Sequence, residues 1–264
     1  MRIMKIIDTH THLYDESFEK DRESVRERAL LSHVFSVVNN ADSLEVFEKI
    51  LLLSKKRPSF YHSALGIHPE FANRGEDYLD RAMSFIKDHK EEILAIGEIG
   101  LDYHYDKEEE TKKKQKEYFV KQIYLAKELS LPVVVHSRDA DRDTFEIIKK
   151  ELPERVDLHC YSGSWELMQE YLRLPIRFFI GIGGVLTFKN ARVIKEVVQK
   201  APLSSLLSET DAPYLAPTPH RGERNEPSYL PLVLKEIARL RGEEEETIAN
   251  VLFENAEEFY GIHF

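Results

Sequence analysis

The 264-residue chain holds a single cysteine, Cys160, so no disulfide can form within it, and such sparing use suits a reducing compartment. Long apolar runs are missing too: nothing approaches the roughly 18 consecutive apolar residues of a membrane span. The first residues, Met1-Arg2-Ile3-Met4-Lys5, lead to Asp8 too soon for the apolar region of a secretory signal. The expectation is a cytoplasmic protein with no membrane partner. Positive charge is also in deficit, with 37 Lys and Arg against 47 Asp and Glu and a net charge of -10. No global basic field is available to gather nucleic acid non-specifically, so a polyanionic substrate has to be held locally. No internal repeat or low-complexity linker divides the chain, and one domain over residues 1–264 is expected.

What is present is an alternation of short apolar runs and amphipathic segments. The run from Ile3 to Ile7 is followed by a helical stretch, Glu23 to Ser32, and then by Val34 to Val38. Leu79, Ala82, Met83 and Ile86 fall at i, i+3, i+4 and i+7, one face of a helix, before the run Ile93 to Ile96. Val133 to Val135, Val156 to Leu158, Phe178 to Ile180 and Leu203 to Leu207 continue the series, and Phe60 to Ile67 supplies the third run. The helices Tyr229 to Leu240 and Glu244 to Tyr260 close the chain. Eight strands, each followed by a helix, predict an α/β fold of the (β/α)8 TIM-barrel type with an extra C-terminal helix. An open doubly wound sheet is the alternative architecture.

Metal-binding residue types sit where these runs end. His10 and His12 follow the first, Glu98 the fourth, His136 the fifth, His159 the sixth and Asp211 the eighth. Alternate residues of a strand share a face, so His10 and His12 point the same way. In a TIM barrel all these ends converge on the one face that carries the active site. Taken singly, each residue also has a structural use, as a capping acid, a turn or a core histidine. Four imidazoles and two carboxylates exceed what one ion uses and suit two divalent ions with a carboxylate between them, Glu98 being the best bridge. Such ions activate water and clamp the attacking and leaving oxygens. Asp211 has two roles open to it, ligand and base toward the attacking water. The donor mix fits Zn or Mn and does not exclude Mg.

The motifs Asp8-Thr9-His10-Thr11-His12, Gly66-Ile67-His68-Pro69, Gly97-Glu98-Ile99-Gly100-Leu101-Asp102, Pro132-Val133-Val134-Val135-His136-Ser137-Arg138, His159-Cys160-Tyr161-Ser162-Gly163 and Glu209-Thr210-Asp211-Ala212-Pro213-Tyr214-Leu215 together resemble the TatD family of metal-dependent deoxyribonucleases, from Ile6 to about Tyr260. The resemblance implies a distorted TIM barrel of the amidohydrolase-like superfamily, a divalent-metal site and hydrolysis of DNA phosphodiesters. By matching positions it assigns His10, His12, Glu98 and Asp211 to one ion, and Glu98, His136 and His159 to the other. Glu98 and Asp211 are the candidate catalytic residues.

Further residues gather around this set. Arg138, and Arg221 with Arg224 in the long loop from Ala212 to Pro227, are candidates to hold phosphate oxygens, and His68 ends the third strand at the same mouth. Asp8 and Glu209 share strand parity with the ligands and are candidates to orient them. Tyr161 either stacks on a base or packs, and Cys160, alternating away from His159, is expected to be a buried thiol. The leading expectation is hydrolysis of DNA at single-stranded or frayed ends, with no obligate protein partner. Two rival readings are a small-substrate amidohydrolase or lactonase and a metal-stabilised interaction module. Many superfamily relatives bridge their ions with a carboxylated lysine; the stretch Ile93 to Ile99 has no lysine and offers Glu98, which favours the nuclease branch.

Overall fold

The computed structural model describes residues 4–264. Ile3, expected to open the first run, lies outside the described residues, and the first strand begins at Ile6. The strands are β1 (Ile6–Thr11), β2 (Val34–Asn40), β3 (Tyr61–Leu65), β4 (Ala95–Asp102), β5 (Val133–Arg138), β6 (Arg155–Leu158), β7 (Arg177–Ile182) and β8 (Leu206–Ser208). They form one eight-stranded sheet in sequence order, every pair parallel. The helices are α1 (Arg22–Leu31), α2 (Phe47–Lys56), α3 (Glu76–Asp88), α4 (Glu109–Leu129), α5 (Asp141–Glu151), α6 (Trp165–Tyr171), α7 (Arg192–Lys200), α8 (Leu230–Arg241) and the additional α9 (Glu245–Tyr260). The expected TIM barrel with an extra C-terminal helix is what the chain forms.

The barrel is nearly closed, and its seam is irregular. β1 and β8 meet through an isolated bridge between Thr11 and Ala212, not through a regular ladder. Hydrogen bonds complete the closure: Ser208 Oγ donates to Ile7 O at 3.0 Å, Thr9 Oγ1 to Ser208 O at 3.1 Å and the Asp211 amide to His10 O at 2.9 Å. These bonds place the end of β8 directly beside the two histidines of β1.

Two apolar layers support the barrel. The larger fills the space between strands and surrounding helices; Leu79, Ala82 and Ile86 of α3 belong to it, the face expected from their spacing. The smaller joins Ile7, Val38, Ala64, Ala95, Val134, Phe179 and Leu207, from seven of the strands, to Ala256, Phe259 and Tyr260 of α9. The C-terminal helix thus plugs the barrel interior. Fully burying one such large side chain is worth about 1.5–3 kcal/mol, so both layers stabilise the frame on which the site is built.

Strict alternation does not explain how the site residues reach that interior. Ile7 and Ala95 are interior residues, so a period of two would turn His10 and Glu98 outward. The ladders slip at these places: β1–β2 between Ile6 and Ile7 and again between Asp8 and Thr11, and β4–β5 between Ile96 and Ile99. A bulge re-aims the residues beyond it, and here it returns His10, His12 and Glu98 to the axis.

Candidate metal centre

Glu98 stands in the middle of the site and divides it. Its Oε2 lies 3.2 Å from His10 Nε2 and 3.9 Å from His12 Nε2. Asp211 Oδ1 completes this half, 3.3 Å from His12 Nε2 and 3.9 Å from His10 Nε2. The other carboxylate oxygen, Oε1, faces His136 Nδ1 at 2.8 Å, His159 Nε2 at 2.9 Å and His68 Nε2 at 3.7 Å. Within each of three groups, His10–His12–Asp211, His68–Glu98–His136 and His10–His159–Glu209, the potential donor atoms lie within 4.8 Å of one another, the third reaching across both halves. His10 and His159 stack at 3.8 Å between ring centroids and link the halves.

The donor set fits divalent cations. His12 Nδ1 is 2.9 Å from the carbonyl oxygen of Asn40, which only accepts, so Nδ1 carries a proton and Nε2 is the nitrogen turned toward the carboxylates. That Nε2 lies only 3.3 Å from His10 Nε2, two ring nitrogens turned toward the same carboxylates. His136 is held from its far side by Asp102, whose Oδ2 lies 3.0 Å from Nε2. Metal-ligating imidazoles characteristically give their second N–H to such a carboxylate or carbonyl.

Charge in the buried centre is internally balanced. Burial opposes ionisation of Glu98, but His159 and His10 prevail and hold its carboxyl well below the usual range. Burial also opposes protonation of His159, and Glu98 overrides it, raising the imidazole to about 10. His10 is pushed down to about 4 by burial and then by the charge of His159. Asp211 resists burial through its hydrogen bond to His12 and stays below the ordinary carboxylate value.

The two supporting acids take different positions. Asp8 accepts from the Thr210 amide at 2.9 Å and from Thr210 Oγ1 at 2.5 Å, tying β1 to the segment after β8, and burial pushes its carboxyl up to about 7. Glu209 Oε1 accepts from the Cys160 amide at 2.5 Å and lies 3.8 Å from His159 Nδ1. Burial raises Glu209 to about 8.

A cavity of about 790 Å³ opens over the centre, lined by His12, His68, Glu98, His136, His159 and Asp211 among others. Arg138 lies on its wall. Arg221 and Arg224 are not part of the lining: Arg221 lies over the Phe188 ring at 4.1 Å, and Arg224 grips Asp21 with two bonds of 2.8 and 2.7 Å. Tyr161 is buried, with its hydroxyl donating to Ser164 O at 2.9 Å. Cys160 departs from the expected alternation. β6 ends at Leu158, Cys160 takes a φ of 45°, and the half-buried residue is part of the cavity lining. Asp102, Asn40 and Tyr105 of this neighbourhood were not singled out from sequence. The sequence carries Asp102 only as the last residue of the motif Gly97-Glu98-Ile99-Gly100-Leu101-Asp102, because the fourth run is read there as ending at Glu98.

A family model described as TatD related DNase matches residues 7–261. The chain belongs to this family. It is 40% identical over 262 residues to the uncharacterized metal-dependent hydrolase YabD of Bacillus subtilis, covering 98% of this chain and 100% of that one. The deoxyribonuclease TATDN3 of Homo sapiens is 34% identical over 260 residues, covering 95% and 93%. Among solved structures, YJJV, a TatD homologue from Escherichia coli K12, superposes with a TM-score of 0.91 at 30% identity, covering 98% and 99%. The chain is a TatD-family metal-dependent hydrolase.

Proposed function

We propose that this TatD-family chain hydrolyses phosphodiester bonds of DNA, acting on single-stranded or frayed ends, with two divalent ions per chain. The observation that carries the reading is the split of Glu98, one oxygen toward His10 and the other toward His136 and His159. A single carboxylate shared by two imidazole clusters suits a two-ion phosphodiesterase. His10, His12, Asp211 and Glu98 would hold one ion, and Glu98, His136 and His159 would hold the other, with His68 beside them. Mg, Mn and Zn all suit this donor set. Bound there, the ions supply Lewis acidity that makes water a nucleophile at neutral pH and neutralises charge on the phosphate.

The chain's own residues do the rest. Asp211 turns Oδ1 to His10 and His12 and lines the cavity, where it is the carboxylate placed to take the proton of the attacking water. Arg138 on the cavity wall is placed to hold a phosphate oxygen. Asn40 and Asp102 keep His12 and His136 oriented. The setting proposed is DNA catabolism in the cytoplasm, where a lone thiol such as Cys160 stays reduced.

The test is hydrolysis of labelled single- and double-stranded oligonucleotides by purified protein with Mg, Mn or Zn, beside Glu98→Ala. Cleavage by the wild type that the variant loses supports the reading. Intact DNA, with turnover of lactones or amides run in parallel, overturns it in favour of a small-substrate hydrolase.

A further inference from the structure

The cavity is poorly built for a polyanion. Among the described residues its lining includes the carboxylates of Asp15, Asp42, Glu70, Glu98, Asp102 and Asp211 but only two permanent cations, Arg138 and Arg192. With a net charge of -10, the chain does not compensate elsewhere by an overall basic field. Beyond the ions, a strand needs another source of binding energy.

Exposed aromatic and aliphatic side chains are placed to provide it. Tyr105, 70% exposed, follows β4, and Tyr214, 56% exposed, follows β8. In a barrel ordered β1 to β8, those strand ends lie across the mouth from each other, with the metal centre between them. Both tyrosines line the cavity. The Arg138 guanidinium lies 4.9 Å from the Tyr105 ring centroid, and its Nη1 donates to the Tyr105 hydroxyl at 3.2 Å. This brace fixes a ring that otherwise projects into solvent. Tyr214 sits edge-on to His12, with 6.1 Å between ring centroids. Beside it the wall is apolar: Leu215 is 42% exposed and Val193, at the start of α7, is 50% exposed. Large apolar side chains left open around a polar centre mark a ligand surface.

We infer that the mouth is a pair of base platforms, Tyr105 braced by Arg138 on one side and Tyr214 with Leu215 and Val193 on the other, which seat the nucleobases flanking the scissile phosphate. This inference rests on the phosphodiesterase reading and deepens it by naming the recognised group. The substrate class is a short or terminal unpaired stretch whose bases can leave their own stack. Recognition is sequence-tolerant, because every base offers a π-face. A cavity of about 790 Å³ lies in the usual range of about 300–1,000 Å³ for small-ligand sites, too small to embrace a duplex.

The test compares two five-residue single-stranded oligodeoxynucleotides, one with all bases present and one whose two terminal residues are abasic tetrahydrofuran units. Binding is read by fluorescence anisotropy with calcium, and cleavage with manganese. Stacking is worth about 1–3 kcal/mol per base and two bases are missing, so the wild type should prefer the base-bearing oligonucleotide by about 30-fold or more. In Tyr105→Ala and in Tyr214→Ala that preference should each time fall by about 5-fold or more, and Tyr105→Trp should keep it. With only two cations in the wall, the slope of log K against log salt should be no steeper than about -1.5. Equal handling of both oligonucleotides by the wild type, or a much steeper slope, overturns the platforms while leaving the nuclease reading intact. Absence of both binding and cleavage of either oligonucleotide overturns the nuclease reading and the platforms with it.

Discussion

Asp102 Oδ2 lies 3.0 Å from His136 Nε2, on the opposite edge of the imidazole from Glu98 Oε1, which lies 2.8 Å from Nδ1. The ring is therefore clamped between two carboxylates, and its orientation toward the centre is fixed before any ion arrives. Losing such a partner characteristically costs about 10- to 100-fold in metal affinity or activity. Asp102→Ala should weaken metal binding by that factor, measured by titration calorimetry, and leave the circular dichroism spectrum unchanged. Unaltered affinity would remove Asp102 from the site's support.

Much of this arrangement was legible in the chain. The apolar runs ending in His10, Glu98, His136, His159 and Asp211 announced both the barrel and the convergence of its strand ends. Asp102 was hidden because β4 continues from Ala95 to Asp102 as one fully buried strand, so that Glu98 is a mid-strand residue. The ladder slips in β1 and β4 were hidden as well, since alternation within a motif does not reveal a change of parity before it. The partner of Arg224 was beyond reach for a plainer reason: Asp21 is 203 residues away in sequence.

Gly181 shows how tightly the support behind His159 is packed. A Cβ at this position would stand 2.1 Å from Glu209 Oε2, and Glu209 is fully buried with its other oxygen committed to the Cys160 amide. Gly181→Ala should destabilise the fold by about 1–3 kcal/mol, the usual cost of overpacking. At Gly183 the nearest atom would be 3.5 Å away, so Gly183→Ala is the matched control. Urea unfolding of both variants checks the difference; equal midpoints would refute the packing argument.

Arg224 belongs to an ion network whose pH dependence has a definite sign. Arg28 donates to Glu226 at 2.8 and 2.6 Å, and Arg224 holds Asp21 in the same cluster. Burial opposes ionisation of Glu226, but the Arg28 hydrogen bonds win and keep its carboxyl below the ordinary value. A carboxyl depressed in the folded state stabilises above its unfolded pKa of about 4.3, and that contribution disappears as pH falls through the lower folded value. Because Arg28 is half open to solvent, we expect Arg28→Ala to cost about 1 kcal/mol at pH 7 and progressively less in acid. Thermal melts across pH 3–7 read this directly. Arg224→Ala should lower the melting temperature while leaving KM for an oligonucleotide unchanged; a several-fold rise in KM would return Arg224 to the substrate.

Removing bound metal tests whether it holds the barrel or only equips it. The apolar layers around and within the strands do not involve the proposed ligands. Nor does a metal-free centre leave its carboxylates bare, since the His159 imidazole, raised to about 10 by Glu98 against burial, supplies a positive charge within the cluster. Chelation should therefore preserve the far-ultraviolet circular dichroism spectrum and lower the melting temperature through lost linkage alone. The same logic applies to His10, which lies 3.2 Å from Glu98 and 3.9 Å from Asp211. His10→Ala should spare the fold and abolish most hydrolysis with loss of bound metal. Collapse of secondary structure on chelation would make the ions structural, and full activity of His10→Ala with undiminished metal content would remove it from the ligand set.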